Sequence, residues 1–267
     1  LMKPTFSFYK TIDDIRMYAE LFARAGGEEE LSHVFRDEKF EEAPERLLVL
    51  LHGNGESGRI FENQIDSFCR DFTVLTVDSR GQGNTTAGTQ PFSIDLLAED
   101  LSKLCDELCI GKFSLLGFSD GGNVALTYAV RHPERLSALV TAGANLNPQG
   151  MKASFYLPLL VRYRAASAKK NENETARVRF ELLSLMVNYP HISYRLLSNI
   201  ACSALVLDGE KDLIKKSHTD SIAASIPGAR RVTVPHAGHN VFFDNAPFLN
   251  ETVTAFLKDA LQDKNVL

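Results

Sequence analysis

Tryptophan is absent from the 267 residues, and the four cysteines, Cys69, Cys105, Cys109 and Cys202, form no CxxC pair. No histidine or carboxylate cluster stands around them at metal-ligand spacing, so no metal site and no cofactor are expected. All four lie in apolar or helix-like stretches and read as buried, reduced core thiols, with Cys105 and Cys109 on one helix face. Long hydrophobic runs are missing too. The opening LMKPTFSFYKTIDD has no extended apolar region, and the strongest run near it spans only residues 47–51. A signal peptide and a membrane span are therefore unsupported, and a cytoplasmic location without membrane contact is expected. Nor is there an excess of positive charge. Lys and Arg number 29 against 34 Asp and Glu, a net charge of −5 that argues against a nucleic-acid partner.

What is present is core material. Hydrophobic residues make up 44% of the chain, enough to fold without a disulfide or metal staple. The length is ambiguous, being long for one domain of about 150 residues and short for two. Residues 6–21 split at Asp13–Asp14 into two extended halves, and Ile15, Met17, Ala19 and Leu21 alternate with polar neighbours at strand period. A helix over 13–24 is the competing reading. From residue 46 onward, strand and helix signals alternate. RLLVLLHG (46–53), TVLTVD (73–78), FSLLG (113–117), LSALVTAGA (136–144), CSALVLDG (202–209) and RRVTV (230–234) read as strands. Residues 61–72, 94–108, 219–224 and 250–261 read as helices. Ile94, Leu97, Ala98, Leu101, Leu104, Cys105 and Leu108 form one apolar stripe. Such βα repetition implies an α/β fold, with a mostly parallel central sheet flanked by helices. The pattern breaks over 147–195, which reads as a small helical cap inserted between core segments 1–146 and 196–267.

Two segments are strongly charged. Residues 26–46 hold eight carboxylates against Arg36, Lys39 and Arg46, a balance of 3 − 8 = −5. This stretch reads as a solvated excursion, with a docking surface as the alternative. Residues 147–195 hold eight Lys and Arg against three Glu, a balance of 8 − 3 = +5. That surplus suits either an anionic substrate such as a CoA thioester or a solvated helical face paired with the acidic segment. Phe155, Tyr156, Tyr163, Phe180 and Tyr189 are candidates for an acyl pocket, although most are expected to pack the cap onto the core.

The sharpest chemical signal is Gly117-Phe118-Ser119-Asp120-Gly121-Gly122, between a strand and a helix. A tight strand-to-helix turn brings backbones so close that small residues are needed two before and two after the serine. The turn lifts the hydroxyl clear of the sheet, and the helix start supplies free N–H groups behind it. Ser119 is accordingly the candidate nucleophile, and it needs a base. His236 and His239 both follow the strand RRVTV, and spacing alone allows either to reach it.

These motifs resemble the α/β-hydrolase fold superfamily. GFSDGG is similar to that family's nucleophile elbow, LLVLLHGNGES to its third strand and oxyanion loop, and LVLDGEKD to the segment carrying the acid. VPHAGHNVFFDNAPFLNETVTAFL resembles the histidine segment and final helix. The resemblance covers about residues 46–146 and 200–262, and it implies a Ser119–Asp212–His239 triad with His239 as base. It places the oxyanion donors at the backbone N–H groups of Asn54 and Asp120. Phe118 and Val241, beside triad positions, are expected to line the substrate pocket, and Asp78 and Arg80 to brace the loop after their strand. Gln82 stands where members often have His, and the acidic excursion is longer than the usual connection. The implied activity is cofactor-independent cleavage of a small ester, thioester or related acyl substrate. Carbon–carbon bond cleavage on the same triad and a non-catalytic ligand receptor are the alternatives.

Overall fold

The computed structural model describes residues 2–262; residue 1 and residues 263–267, assigned above to the core, lie outside the described residues. Ten strands form: β1 Phe6–Ile12, β2 Ile15–Phe22, β3 Phe35–Arg36, β4 Lys39–Phe40, β5 Leu47–Leu51, β6 Thr73–Val77, β7 Phe113–Phe118, β8 Leu136–Ala142, β9 Ser203–Gly209 and β10 Arg230–Val234. Helices α1 to α9 are Glu28–Val34, Glu62–Phe68, Ile94–Glu107, Asp120–Arg131, Ala153–Ser167, Glu174–Asn188, Lys216–Ser225, Val241–Asp244 and Ala246–Gln262. One eight-stranded sheet runs β1-β2-β6-β5-β7-β8-β9-β10. β2 pairs antiparallel with both β1 and β6, and the remaining neighbours pair parallel.

Why the central strands are apolar throughout is visible in β5. Leu47, Val49 and Leu51 face a core that contains residues of α3, α4 and α7, while Leu48 and Leu50 face one that contains residues of α2 and α9. A strand covered on both sides has no face left for polar residues. In α3, the Ser93 hydroxyl caps the helix by accepting the Leu96 N–H at 3.1 Å, and the predicted stripe is buried. The helix ends at Glu107, so Cys109 does not share its face with Cys105. It stands beyond the end with φ 56° and is exposed, unlike the three buried cysteines.

The Asp13–Asp14 split is a two-residue hairpin turn, with Ile12 opposite Ile15, which settles residues 15–22 as strand. Arg80, fully buried, locks this hairpin to the sheet. It donates to Asp14 at 2.7 Å and to both oxygens of Asp100 on α3 at 2.8 Å. Asp78 braces the same loop by accepting the N–H groups of Gly58 and Asn84.

The acidic segment is more than a solvated excursion. It forms α1 and the β3–β4 hairpin, and it buries Leu31, Phe35 and Phe40, with Phe35 packed on the rings of Phe6, Phe8 and Phe40. Among the described residues, no ion pair joins it to residues 147–195. It lies beside the N-terminal ends of the parallel strands, where Glu30, Glu42 and Glu45 border a hollow shared with Arg46 and Thr73.

Residues 147–195 connect adjacent strands β8 and β9 through α5 and α6. The two helices share an apolar contact of Leu159, Ala166, Leu183 and Val187 with Met151 and Ile214. Tyr163 stacks on Phe180, and Tyr189 packs on the main core. Several polar anchors tie the pair down: Lys152 Nζ to the Asp212 carbonyl at 2.5 Å, Arg177 to the Gly88 carbonyl at 2.6 Å, and the Phe92 N–H to Glu181 at 3.0 Å. His218 is buried beside them; Nε2 accepts the Leu146 N–H at 3.0 Å, and Nδ1 meets the Tyr194 hydroxyl at 2.9 Å.

Candidate active site

The parallel strands end together on one edge, and the chemistry-bearing residues collect there. Ser119 sits between β7 and α4 with φ 53° and ψ −118°, a conformation that a non-glycine residue adopts only under constraint. The constraint is close packing. A Cβ on Gly117 would lie 2.1 Å from the Gly121 carbonyl oxygen, and one on Gly121 would lie 2.3 Å from that of Leu51. The glycine spacing read from the sequence is therefore a steric requirement of this turn. The Ser119 N–H donates to the Ala142 carbonyl at 2.8 Å, which ties the turn to β8.

The structure brings Ser119, His239 and Asp212 together. His239 Nε2 lies 3.0 Å from Ser119 Oγ, and its Nδ1 lies 2.7 Å from Asp212 Oδ1. Because the Asp212 carboxylate only accepts, Nδ1 carries the proton and Nε2 is free to accept from the serine. Burial pushes the Asp212 carboxyl up. The bond from His239 and the N–H groups of Ile214 and Gly209 outweigh that and hold it below the ordinary carboxylate range. Phe118 packs its ring 5.1 Å from the His239 ring. His236 is elsewhere: its side chain is 90% exposed and faces Glu210, away from Ser119.

Asn54 and Asp120 line the same cavity as Ser119. Among the described residues, neither of their backbone N–H groups donates to a protein acceptor, whereas those of Gly53, Gly55 and Ser119 are committed. Gly53 N–H goes to Glu56 Oε2 at 3.0 Å, and Gly55 N–H to Gln82 Oε1 at 2.6 Å. Gln82 thus props the loop from the position noted above as a departure. His52 is buried below it; Nδ1–H donates to the Gly53 carbonyl, and Nε2 accepts the Ser79 N–H. Burial keeps this imidazole below its usual range, which suits a structural, neutral ring.

A cavity of about 220 Å³ opens on the serine. Phe118, Met151, Phe155, Met186, Leu213 and Ile214 give it an apolar wall; Asn145, Glu56 and Asp120 supply polar groups. Val241, expected at this wall, does not line it. The chain turns into α8 there, and the side chain is fully buried in the core beneath. Glu56 and Asn145 were not anticipated, since only long-range folding brings them here. The Asp120 carboxylate is also unanticipated. Burial pushes its pKa up to about 6, against the amides of Asn54 and Asn123 that bond it. Burial likewise raises Glu56. No Lys or Arg is among the lining residues.

Comparison with known proteins bears on the fold and the family. Residues 46–178 match the family model for the alpha/beta hydrolase fold. Human serine hydrolase BPHL is 29% identical over 229 residues, which cover 79% of this chain and 78% of that one. The enol-lactonase of Burkholderia xenovorans LB400 superposes with a TM-score of 0.73 at 21% identity, covering 94% of this chain and 99% of that one. A thermophilic esterase from Thermogutta terrifontis gives 0.73 at 21% identity, covering 96% and 98%. The chain belongs to the α/β-hydrolase fold superfamily and is a hydrolase of that family. Among the described residues, no helix is long and apolar enough to cross a membrane.

Proposed function

We propose that the protein is a serine hydrolase that cleaves small carboxylic esters and related acyl compounds through an acyl-enzyme on Ser119. The observation that carries this reading is the relay of 3.0 Å and 2.7 Å from Ser119 through His239 to Asp212. Ser119 Oγ attacks the acyl carbonyl as its proton passes to His239 Nε2. Asp212 holds the ring in the Nδ1–H tautomer and stabilises the imidazolium. The carbonyl oxygen, now negative, takes the N–H groups of Asn54 and Asp120, aimed in advance at the charge that develops. Collapse expels the leaving group with a proton from Nε2, and water repeats the sequence to free the acid.

The cavity narrows the substrate class. Its apolar wall suits a short acyl chain, while Glu56 and Asp120 face it with no cation among the lining residues. With Asp120 titrating at about 6, the carboxylate is ionised at neutral pH and repels an anionic substrate. Neutral or positively charged acyl groups fit this cavity better than acyl groups that themselves carry a negative charge.

A fluorophosphonate probe should label the protein stoichiometrically and leave Ser119→Ala unlabelled. Labelling that persists in this variant would refute the nucleophile. A panel of p-nitrophenyl esters with neutral, cationic and anionic acyl groups, run with acyl-CoAs and β-diketones, reads the substrate class. Turnover confined to β-diketones would replace ester cleavage by carbon–carbon bond hydrolysis.

A further inference from the structure

The Asn54 side chain makes two bonds that the hydrolytic scheme leaves unused. Its Nδ2 donates to Asp120 Oδ2 at 2.8 Å and to the Leu182 carbonyl at 2.8 Å. An amide nitrogen has two hydrogens to give, so both are spent. The first bond joins the two residues whose backbone N–H groups the proposed mechanism gives to the oxyanion. Asn54 stands on the loop after β5 and Asp120 at the start of α4, 66 positions apart in sequence, with no covalent reason to keep a fixed separation. The second bond reaches the middle of α6, four residues before Met186, which lines the cavity. Asp120 is itself held from behind, where Asn123 Nδ2 donates to Oδ1 at 3.3 Å and Asn145 is bonded to Asn123.

We propose that the Asn54 side chain is a positioning residue: it clamps the two halves of the oxyanion hole at a fixed spacing and seats α6 against them. The inference rests on the serine-hydrolase reading and adds a role to a side chain whose backbone alone that reading uses. Oxyanion donors act only where the oxyanion will lie, and a misplacement of about 1 Å can cost on the order of 100-fold in rate. A loose hole binds the ground-state ester nearly as well, so the defect falls on kcat.

The test is a double-mutant cycle on a neutral p-nitrophenyl ester, with a melting curve for each variant. Asn54→Ala and Asp120→Ala should each lower kcat by roughly 10- to 100-fold, with KM changed less than about threefold. The double variant should be no slower than the worse single one, because one bond has been removed twice. Asp120→Asn keeps an acceptor oxygen for Asn54 and should lose less kcat than Asp120→Ala, reading the clamp from its other end even if Asn54→Ala fails to fold; equal losses in the two would overturn the clamp. Losses that multiply, a defect confined to KM, or an Asn54→Ala enzyme with unchanged kcat would overturn the clamp. Wild-type protein that takes no fluorophosphonate would instead overturn the underlying reading, so the two failures are distinguishable.

Discussion

The loop after β9 and the elbow after β7 each bury an aspartate close to Ser119, and the two are treated in opposite ways. Asp212 accepts from His239 and from two backbone N–H groups, and its carboxyl is held below the usual range. Asp120 is as well buried but receives only side-chain amides, and its pKa rises to about 6. Burial is common to both. What separates them is the number and charge of the donors, since only a set that replaces the lost water makes a buried carboxylate comfortable. One aspartate is stabilised where it sits. The other is a standing cost to the fold, retained in the wall of the cavity.

Substitutions on the two sides should therefore fail differently. Asp212→Asn removes the carboxylate that fixes the His239 tautomer, and kcat should fall by about 10³- to 10⁴-fold with KM little changed. Steady-state ester kinetics check this, and a loss below tenfold would break the assignment. Asp120→Asn should act on stability instead. In the fold Asp120 titrates at about 6, against an ordinary 3.8, so the folded state binds this proton more tightly than the unfolded chain. Ionisation therefore counts against folding: the cost is absent below about pH 4, grows as pH rises to 6 and is complete above it. At pH 8 Asp120→Asn should be more stable by up to about 3 kcal/mol, less whatever the Asn123 bond loses, and the gain should vanish near pH 4. Urea denaturation at the two pH values reads it; equal stabilities at pH 8 would show that Asp120 carries no burden. The smallest effect belongs to His236→Ala. With its imidazole turned to solvent, kcat should stay within about twofold, and a larger drop would reopen the choice of base.

Legibility in the sequence followed the range of the cause. The βα order could be read because burial on both faces leaves a local mark, as in the unbroken apolar run of β5. Ser119 could be read because its elbow demands glycine at 117 and 121, where a Cβ would strike backbone, that of Gly121 in the first case and that of Leu51 on the neighbouring strand in the second. Asp212 and His239 required family resemblance, since nothing local says that they meet. Val241 was misjudged because an apolar residue beside His239 looks the same whether the chain turns it outward or inward. His218 carries no local signal for a related reason, its bond to Leu146 spanning 72 positions. The hairpin of β3 and β4 hid within an acidic stretch because three anchors, Leu31, Phe35 and Phe40, are too widely spaced to form a period. Glu56, Asn145 and the Asn54 side chain acquire meaning only once distant loops converge.

The placement of the charged segments has a consequence at a different scale. Residues 26–46 lie by the N-terminal ends of the parallel strands and residues 147–195 by the C-terminal ends, with −5 at one pole and +5 at the other. The two segments thus set opposite charge at opposite ends of the strands. Beyond about 8 Å at physiological salt their fields are largely screened, so each acts on its own surroundings and neither reaches the other. The cavity differs again, since Glu56 and Asp120 line it without a Lys or Arg. Salt therefore weakens the charge of the two exposed ends and acts much less on the buried Asp120.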